Sequence, residues 1–378
     1  MRLAAALLSL CLLALPALAQ EPPDPSDAAR AAADRLADAS RMLDEAEGAR
    51  NRVRALTETI RAYEDGLEAM REGLRRATIR EDVLSRQLRV REDEIARLLG
   101  VLQSMGAAPA PVLLLHPSGP LGTARSGMIL ADVTPALDAR ARELRADLQE
   151  VSVLRALQRS AANKLEEGLR GAQTARTALS QAISDRVDLP RRFTEDPVQT
   201  ALLVASTETL EGFASGLSEI AVDEVPGSLP GISDRKGALP LPVKGTILRR
   251  AGEADAAGIT RPGIVVATRP RALVTTPAPA TVRYRGPLLD YGNVIILEPQ
   301  AGILLVIAGL DVVYGKTGEV LPGGSPVGLM GGPMAGSDDV LTDQAEGAGA
   351  GRTETLYIEV RQDNEPVDPE TWFRTDRG

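Results

Sequence analysis

The chain has 378 residues, with 43 Lys and Arg against 52 Asp and Glu and a formal net charge of −9. An acidic chain with 2% aromatic residues has neither the basic footprint nor the stacking side chains of a nucleic-acid binder. One histidine and one cysteine leave few soft ligands, so a zinc enzyme would need carboxylates almost alone; the length allows two or three domains.

Residues 1–19 read as a secretory signal: Arg2, an apolar run from Leu3 to Leu15, and Ala17-Leu18-Ala19 as a small-x-small cleavage site. The run is short for a bilayer span, and no second basic flank follows it. Cys11 lies inside the run, and Leu10 before it is too large for a lipoprotein-type site. A mature chain starting near Gln20 would be more acidic and free of cysteine. Export without disulfides fits a bacterial periplasm.

Residues 20–190 read as a coiled-coil hairpin. From Ser26 to Met105 there is no proline, and apolar residues recur at alternating three and four spacing: Leu56, Ile60, Tyr63, Leu67, Met70, Leu74, Ala77, Leu84, Leu88, Ile95, Leu98, Leu102, Met105. Glu81 and Arg91 interrupt the stripe. At 1.5 Å per residue the run from Leu56 would span roughly 75 Å. A second run follows Pro135, from Leu137 through Leu144, Leu148, Val151, Leu165, Leu169 and Leu179 to Ile183, with Arg155, Gln158 and Arg176 at seam positions. Two such runs suit an antiparallel hairpin, because the second covers the first; a parallel homodimer is the other arrangement the pattern allows. The joining stretch 106–134 holds Pro109, Pro111, Pro117 and Pro120 and reads as a non-helical tip. Its apolar clusters, Val112–Leu115 and Met128–Leu130, form either a packed knob or a docking surface. His116, beside Pro117, is given no chemistry.

Residues 191–238 read as a short helix and a linker. Pro197 suits a first helical turn, and Leu203, Ser206, Leu210, Phe213, Leu217 and Ile220 recur at helical spacing. The helix either packs on the coiled coil or occupies a groove elsewhere in the chain. Pro226, Gly227, Pro230, Gly231 and Gly237 mark the linker. Residues 239–378 change texture to short Val/Ile/Leu runs between Gly and Pro, a mostly β domain. The strand candidates are Gly263–Thr268, Ala280–Arg285, Asn293–Glu298, Ile303–Ala308 and Thr355–Arg361, with a Gly/Asp-rich insert at Gly331–Gly351. In the last strand, period-two alternation turns Leu356, Ile358 and Val360 to a core face. Thr355, Tyr357, Glu359 and Arg361 turn to the other, which reads as a binding floor.

From about Leu241 to Phe373 the chain resembles a LytM (M23-type) peptidase domain. The resemblance rests on Leu241-Pro242-Val243-Lys244-Gly245, Arg261-Pro262-Gly263-Ile264-Val265, Asp290-Tyr291-Gly292-Asn293-Val294, Gly323-Gly324-Ser325-Pro326-Val327-Gly328 and Leu356-Tyr357-Ile358-Glu359-Val360-Arg361, in that order. It places the family's metal positions at Arg261, Val265, Gly309, Thr355 and Tyr357. None of these carries an imidazole, thiolate or carboxylate, so the resemblance implies a degenerate domain with no metal, no cofactor and no peptidase activity.

Signal, coiled coil, short helix and degenerate LytM domain together resemble the EnvC-type murein hydrolase activators. That resemblance implies a groove that binds and switches on a periplasmic zinc-dependent N-acetylmuramoyl-L-alanine amidase in cell division and daughter-cell separation. It further implies a coiled coil that engages an FtsEX-type ABC division complex, and a helix between them that restrains the groove. Carried over by position, the groove residues are Val265, Tyr291, Val294, Tyr357 and Arg361. Two other classes remain: an atypical M23 endopeptidase, and a structural periplasmic adaptor, although adaptors usually interleave the hairpin within their β region.

Overall fold

The computed structural model describes residues 25–93, 95–97, 100, 103, 119–186, 189, 196–219, 229–256, 258–333 and 354–374. The expected signal, His116, residues 106–118 of the hairpin tip, Ile220, the start of the linker and most of the Gly331–Gly351 insert lie outside them. The chain is a long N-terminal helical region followed by a mostly antiparallel β domain.

Helices α1 (Pro25–Asp44), α2 (Ala49–Val90) and α3 (Gly119–Ser184) form the helical region. Pairing between α2 and α3 runs from Glu64–Arg176 through Thr78–Gln158 and Glu81–Arg155 to Arg91–Glu143. Partner numbers fall as α2 rises, so the two helices are antiparallel within one chain, as a hairpin requires. Leu67, Leu74 and Leu165 fill part of the seam. The polar interruptions answer one another across it: Glu81 of the first stripe takes Arg155 of the second at 3.0 Å, and Arg91 takes Glu143 at 3.0 Å.

One expectation is corrected here. Residues 119–134 are helical, not part of a non-helical tip: α3 begins at Gly119 and continues through Pro135. Pro120 sits in the first turn, where its missing N–H breaks no helical bond. Pro135 removes only the bond to Ala131, a cost of about 3 kcal/mol that the surrounding helix tolerates. The hairpin region also has a third helix, ahead of the stripe that starts at Leu56. The chain turns at Gly48, and α1 folds back on α2 with Ala32 against Gly66 and Arg35 paired with Asp65.

The segment after the hairpin is two helices, α4 (Pro197–Ser206) and α5 (Leu210–Glu219), not the single helix its spacing predicts. Asp196 caps α4 by accepting from the Val198 and Gln199 N–H groups. Thr209 accepts from Gly212 N at 3.0 Å and so starts a new helix. Gly216 lets Leu203 of α4 close on α5; a Cβ there would fall 2.5 Å from a Leu203 methyl.

The β domain contributes strands β1 (Gly245–Arg249), β2 (Ile264–Thr268), β3 (Leu273–Thr275), β4 (Ala280–Pro287), β5 (Asn293–Gln300), β6 (Ile303–Val313), β7 (Val320–Leu321), β8 (Pro326–Met330), β9 (Glu354–Gln362) and β10 (Glu365–Val367). The order β1-β2-β9-β6-β5-β4-β7 puts β9 inside the sheet between β2 and β6; β10 extends β9, and β8 joins β3 to β6. One face carries Ile264, Val266, Ile295, Leu297, Leu305, Ile307, Leu356, Ile358 and Val360 and is closed by Trp372 and Phe373. The other carries Val294, Ile296, Leu304, Val306, Ala308 and Tyr357 and is covered by Leu210, Phe213, Ala214 and Leu217 of α5.

The base of the hairpin is seated on the β domain. Val53, Leu56, Ile60, Leu179 and Ala182 pack against Leu273, Tyr314 and Leu329. One turn of α2 adds polar contacts: Arg61 donates to Thr275 Oγ1 at 2.9 Å, Glu64 accepts from Leu273 N at 3.1 Å, and Asp65 pairs with Lys244. Ser180 of α3 bonds the Tyr314 hydroxyl at 2.8 Å. Burial pushes the Glu64 carboxyl up, against the attraction of Arg176.

Candidate functional site

Strand β9 places Tyr357, Glu359 and Arg361 on one sheet face, opposite Leu356, Ile358 and Val360, because successive side chains alternate, and Tyr357 joins the cluster that α5 closes. The register sets Val265 of β2 and Ala308 of β6 on either side of Tyr357, and Val294 of β5 beside Ala308. Gly309 lies against the carbonyl of Thr355, and its φ of +93° suits glycine. Tyr291, in the turn before β5, tilts toward Tyr357 with ring centroids 5.9 Å apart. The Arg261 guanidinium sits 5.0 Å over the Tyr291 ring. The positions expected to correspond to metal ligands, Arg261, Val265, Gly309, Thr355 and Tyr357, therefore converge on one patch, with Tyr291 and Val294 beside it.

Tyr357 is 7% exposed. Its hydroxyl donates to Glu359 Oε2 at 2.7 Å and accepts from Gly263 N at 3.1 Å. Gly263 is required for this approach: a Cβ would fall 2.5 Å from the Tyr357 ring. Burial, then the neighbouring Glu359 charge, push the phenol well above the ordinary tyrosine range. Glu359 in turn accepts from Arg361 Nη1 at 2.8 Å, and the Arg361 Nη2 group bonds the Asn364 carbonyl. A closed Tyr–Glu–Arg line results.

That line corrects one expectation. Arg361 is not an open contact for a partner carboxylate. It is 1% exposed and neutralises Glu359 inside the domain. Val294 is fully buried, part of the apolar floor that α5 covers. Val265 and Tyr291 remain half-buried at the rim.

The site also contains residues that motif reasoning misses. Phe213 of α5 meets Tyr284 of β4 edge-on, with centroids 4.6 Å apart, and the Tyr284 hydroxyl donates to the Pro287 carbonyl at 2.8 Å. The signal for Phe213 was present in its helical spacing with Leu210 and Leu217, but spacing alone does not say which surface receives it.

The donor set does not fit zinc. Arg261 is a cation, Val265 and Gly309 bring no donor, and the Tyr357 hydroxyl is held by Gly263 and Glu359. Among the described residues no three His, Cys, Asp or Glu side chains gather where a metal could bind. The arrangement is an apolar sheet face packed against the amphipathic helix α5, with a buried polar line through Tyr357, Glu359 and Arg361.

No family model matches the chain. Uncharacterized protein NMB1333 of Neisseria meningitidis serogroup B is 29% identical over 148 residues, 39% of this chain and 22% of that protein. The chain thus spans about a fifth of the length of the curated relative it matches. Among solved structures, Helicobacter pylori Csd3 is similar at 21% identity over 37% of this chain and 36% of that one, with a TM-score of 0.28. A putative peptidase M23 from Pseudomonas aeruginosa is similar at 16% identity over 47% and 64%, TM-score 0.31. The SpoIIQ–SpoIIIAH pore-forming complex is similar at 17% identity over 36% and 90%, TM-score 0.28.

Proposed function

We propose that the chain is a non-catalytic periplasmic activator of peptidoglycan amidases, with a degenerate LytM domain as its amidase-binding module. The observation that carries this reading is α5 itself. An amphipathic helix of the same chain lies on the face where the LytM metal positions converge, with Leu210, Phe213, Ala214 and Leu217 buried at i, i+3, i+4 and i+7. A trough that holds one such helix has the shape and apolarity to hold another.

The partner is a zinc-dependent N-acetylmuramoyl-L-alanine amidase that presents a helix of its own to the trough. In the resting chain α5 competes with it, and the apparent amidase affinity falls by the fraction of molecules whose trough is open. The helical hairpin is the arm through which an FtsEX-type ABC complex would bias that equilibrium during division. The hairpin's seat on β3 and β8 supports such a link, because a packed interface transmits displacement.

The test is amidase binding and dye release from labelled peptidoglycan with the full chain carrying Phe213→Ala/Leu217→Ala, which frees the trough from α5. Val265→Glu puts a longer, charged side chain into the apolar trough rim and is expected to abolish both, while the chain alone releases no dye. Normal activation by Val265→Glu would reject the trough as the amidase site, and dye release by the chain alone would reject a non-catalytic role.

A further inference from the structure

With Arg361 buried, the trough's charge toward a partner comes from elsewhere. Arg261 lies half-buried over the outer face of Tyr291. Arg249 of β1 is cross-strand from Val265, so it shares the trough face of β2, and it too is half-buried. Neither guanidinium has an ion pair among the described residues. The nearby carboxylate, Glu359, is taken up by Arg361 and Tyr357. The trough therefore has an apolar floor and, along its β1–β2 edge, two cations with no ion pair among the described residues.

We infer that Arg249 and Arg261 form a selectivity edge that recognises acidic residues flanking the apolar stripe of an incoming helix. This rests on the proposed amidase trough and names the chemistry of its partner. Arg261 is already oriented to bind a carboxylate, because stacking on Tyr291 restricts its rotamers and leaves its N–H fork available. A helix bearing an acidic residue at that edge gains charge-assisted hydrogen bonds. The edge thus favours a helix whose apolar stripe is flanked by acidic residues over one without them. Rim charges of this kind act through encounter rate and salt dependence as well as affinity.

The experiment measures binding of the full chain to a purified periplasmic zinc amidase at about 50 and about 300 mM NaCl, near the range where screening changes most. Wild type, the double variant Arg249→Gln/Arg261→Gln, the double variant Arg249→Lys/Arg261→Lys, and Val265→Glu are compared. The glutamine pair is expected to bind about tenfold more weakly at low salt and to lose most of the salt dependence, while the lysine pair keeps it. Val265→Glu blocks binding at both salts. Wild-type affinity and salt dependence in the glutamine pair, with Val265→Glu still blocking, would overturn the edge and leave the amidase trough standing. Normal binding by Val265→Glu would overturn both. A parallel sedimentation assay with peptidoglycan sacculi covers the other anionic partner: if the glutamine pair loses sacculus binding and keeps amidase binding, the edge reads cell-wall polymer and the inference fails.

Discussion

Tyr357 holds its proton more tightly in the folded chain than an ordinary tyrosine does. The sign follows from linkage: the raised phenol contributes stability that is complete below the ordinary tyrosine pKa of about 10. That stability is lost as pH rises above it, because the unfolded chain releases the proton first. Wild-type stability is expected to fall above about pH 10, and Tyr357→Phe to show a shallower decline, read by denaturant midpoints across the alkaline range. At neutral pH the same variant leaves Glu359 short of one donor and costs about 1–3 kcal/mol. Arg361→Ala is more severe. It strands the buried Glu359 charge, and breaking a buried pair this way costs about 3–5 kcal/mol, so the variant should lose folded protein on thermal melting. Period-two alternation in residues 355–361 was enough to place Tyr357, Glu359 and Arg361 on one face. It could not show that Arg361 turns inward onto Glu359 and the Asn364 carbonyl, nor that the apolar part of the face is covered by α5, far upstream.

At the scale of elements, α5 is the part most exposed to simple perturbation. Its Leu210, Phe213 and Leu217 are buried, and burying such side chains stabilises docking by roughly 1.5–3 kcal/mol each. Phe213→Ala removes the edge contact with Tyr284 and leaves a cavity, at a cost of about 3–5 kcal/mol. Faster amide hydrogen exchange confined to α5 and its underlying strands is the expected result; unchanged exchange there would show that Phe213 does not hold the helix down. The spacing of Leu203, Leu210, Phe213 and Leu217 identified helix, yet not the break between α4 and α5. That break is local chemistry: the Thr209 cap competes for the backbone, and Gly216 admits Leu203. The five strands expected from apolar runs are all present, whereas β1, β3, β7, β8 and β10 are short segments beside Gly and Pro whose pairing is set by distant partners.

For the whole molecule, the hairpin and the β domain meet along the first half of α2, from Val53 to Asp65, and at the end of α3. The heptad pattern made the hairpin legible, and its polar interruptions turn out to be paired across the seam. Arg155→Glu places two carboxylates together at Glu81 and should lower hairpin stability by under about 1 kcal/mol, since Arg155 is largely exposed; adding Glu81→Arg should restore it in a melting experiment. The seat on β3 and β8 was not legible, because Arg61, Glu64 and Asp65 read as ordinary charges on a solvated helix face. Their partners Thr275, Leu273 and Lys244 lie in another domain. Hairpin, seat and trough come together in the proposal that α5 restrains a surface meant for an amidase helix. Dye release by a purified periplasmic amidase with the full chain decides it, wild type against Phe213→Ala/Leu217→Ala, in the absence of any membrane complex. Restraint by α5 predicts little activation by wild type and strong activation by the double variant, abolished again by adding Val265→Glu; equal activation by wild type and the double variant would contradict it.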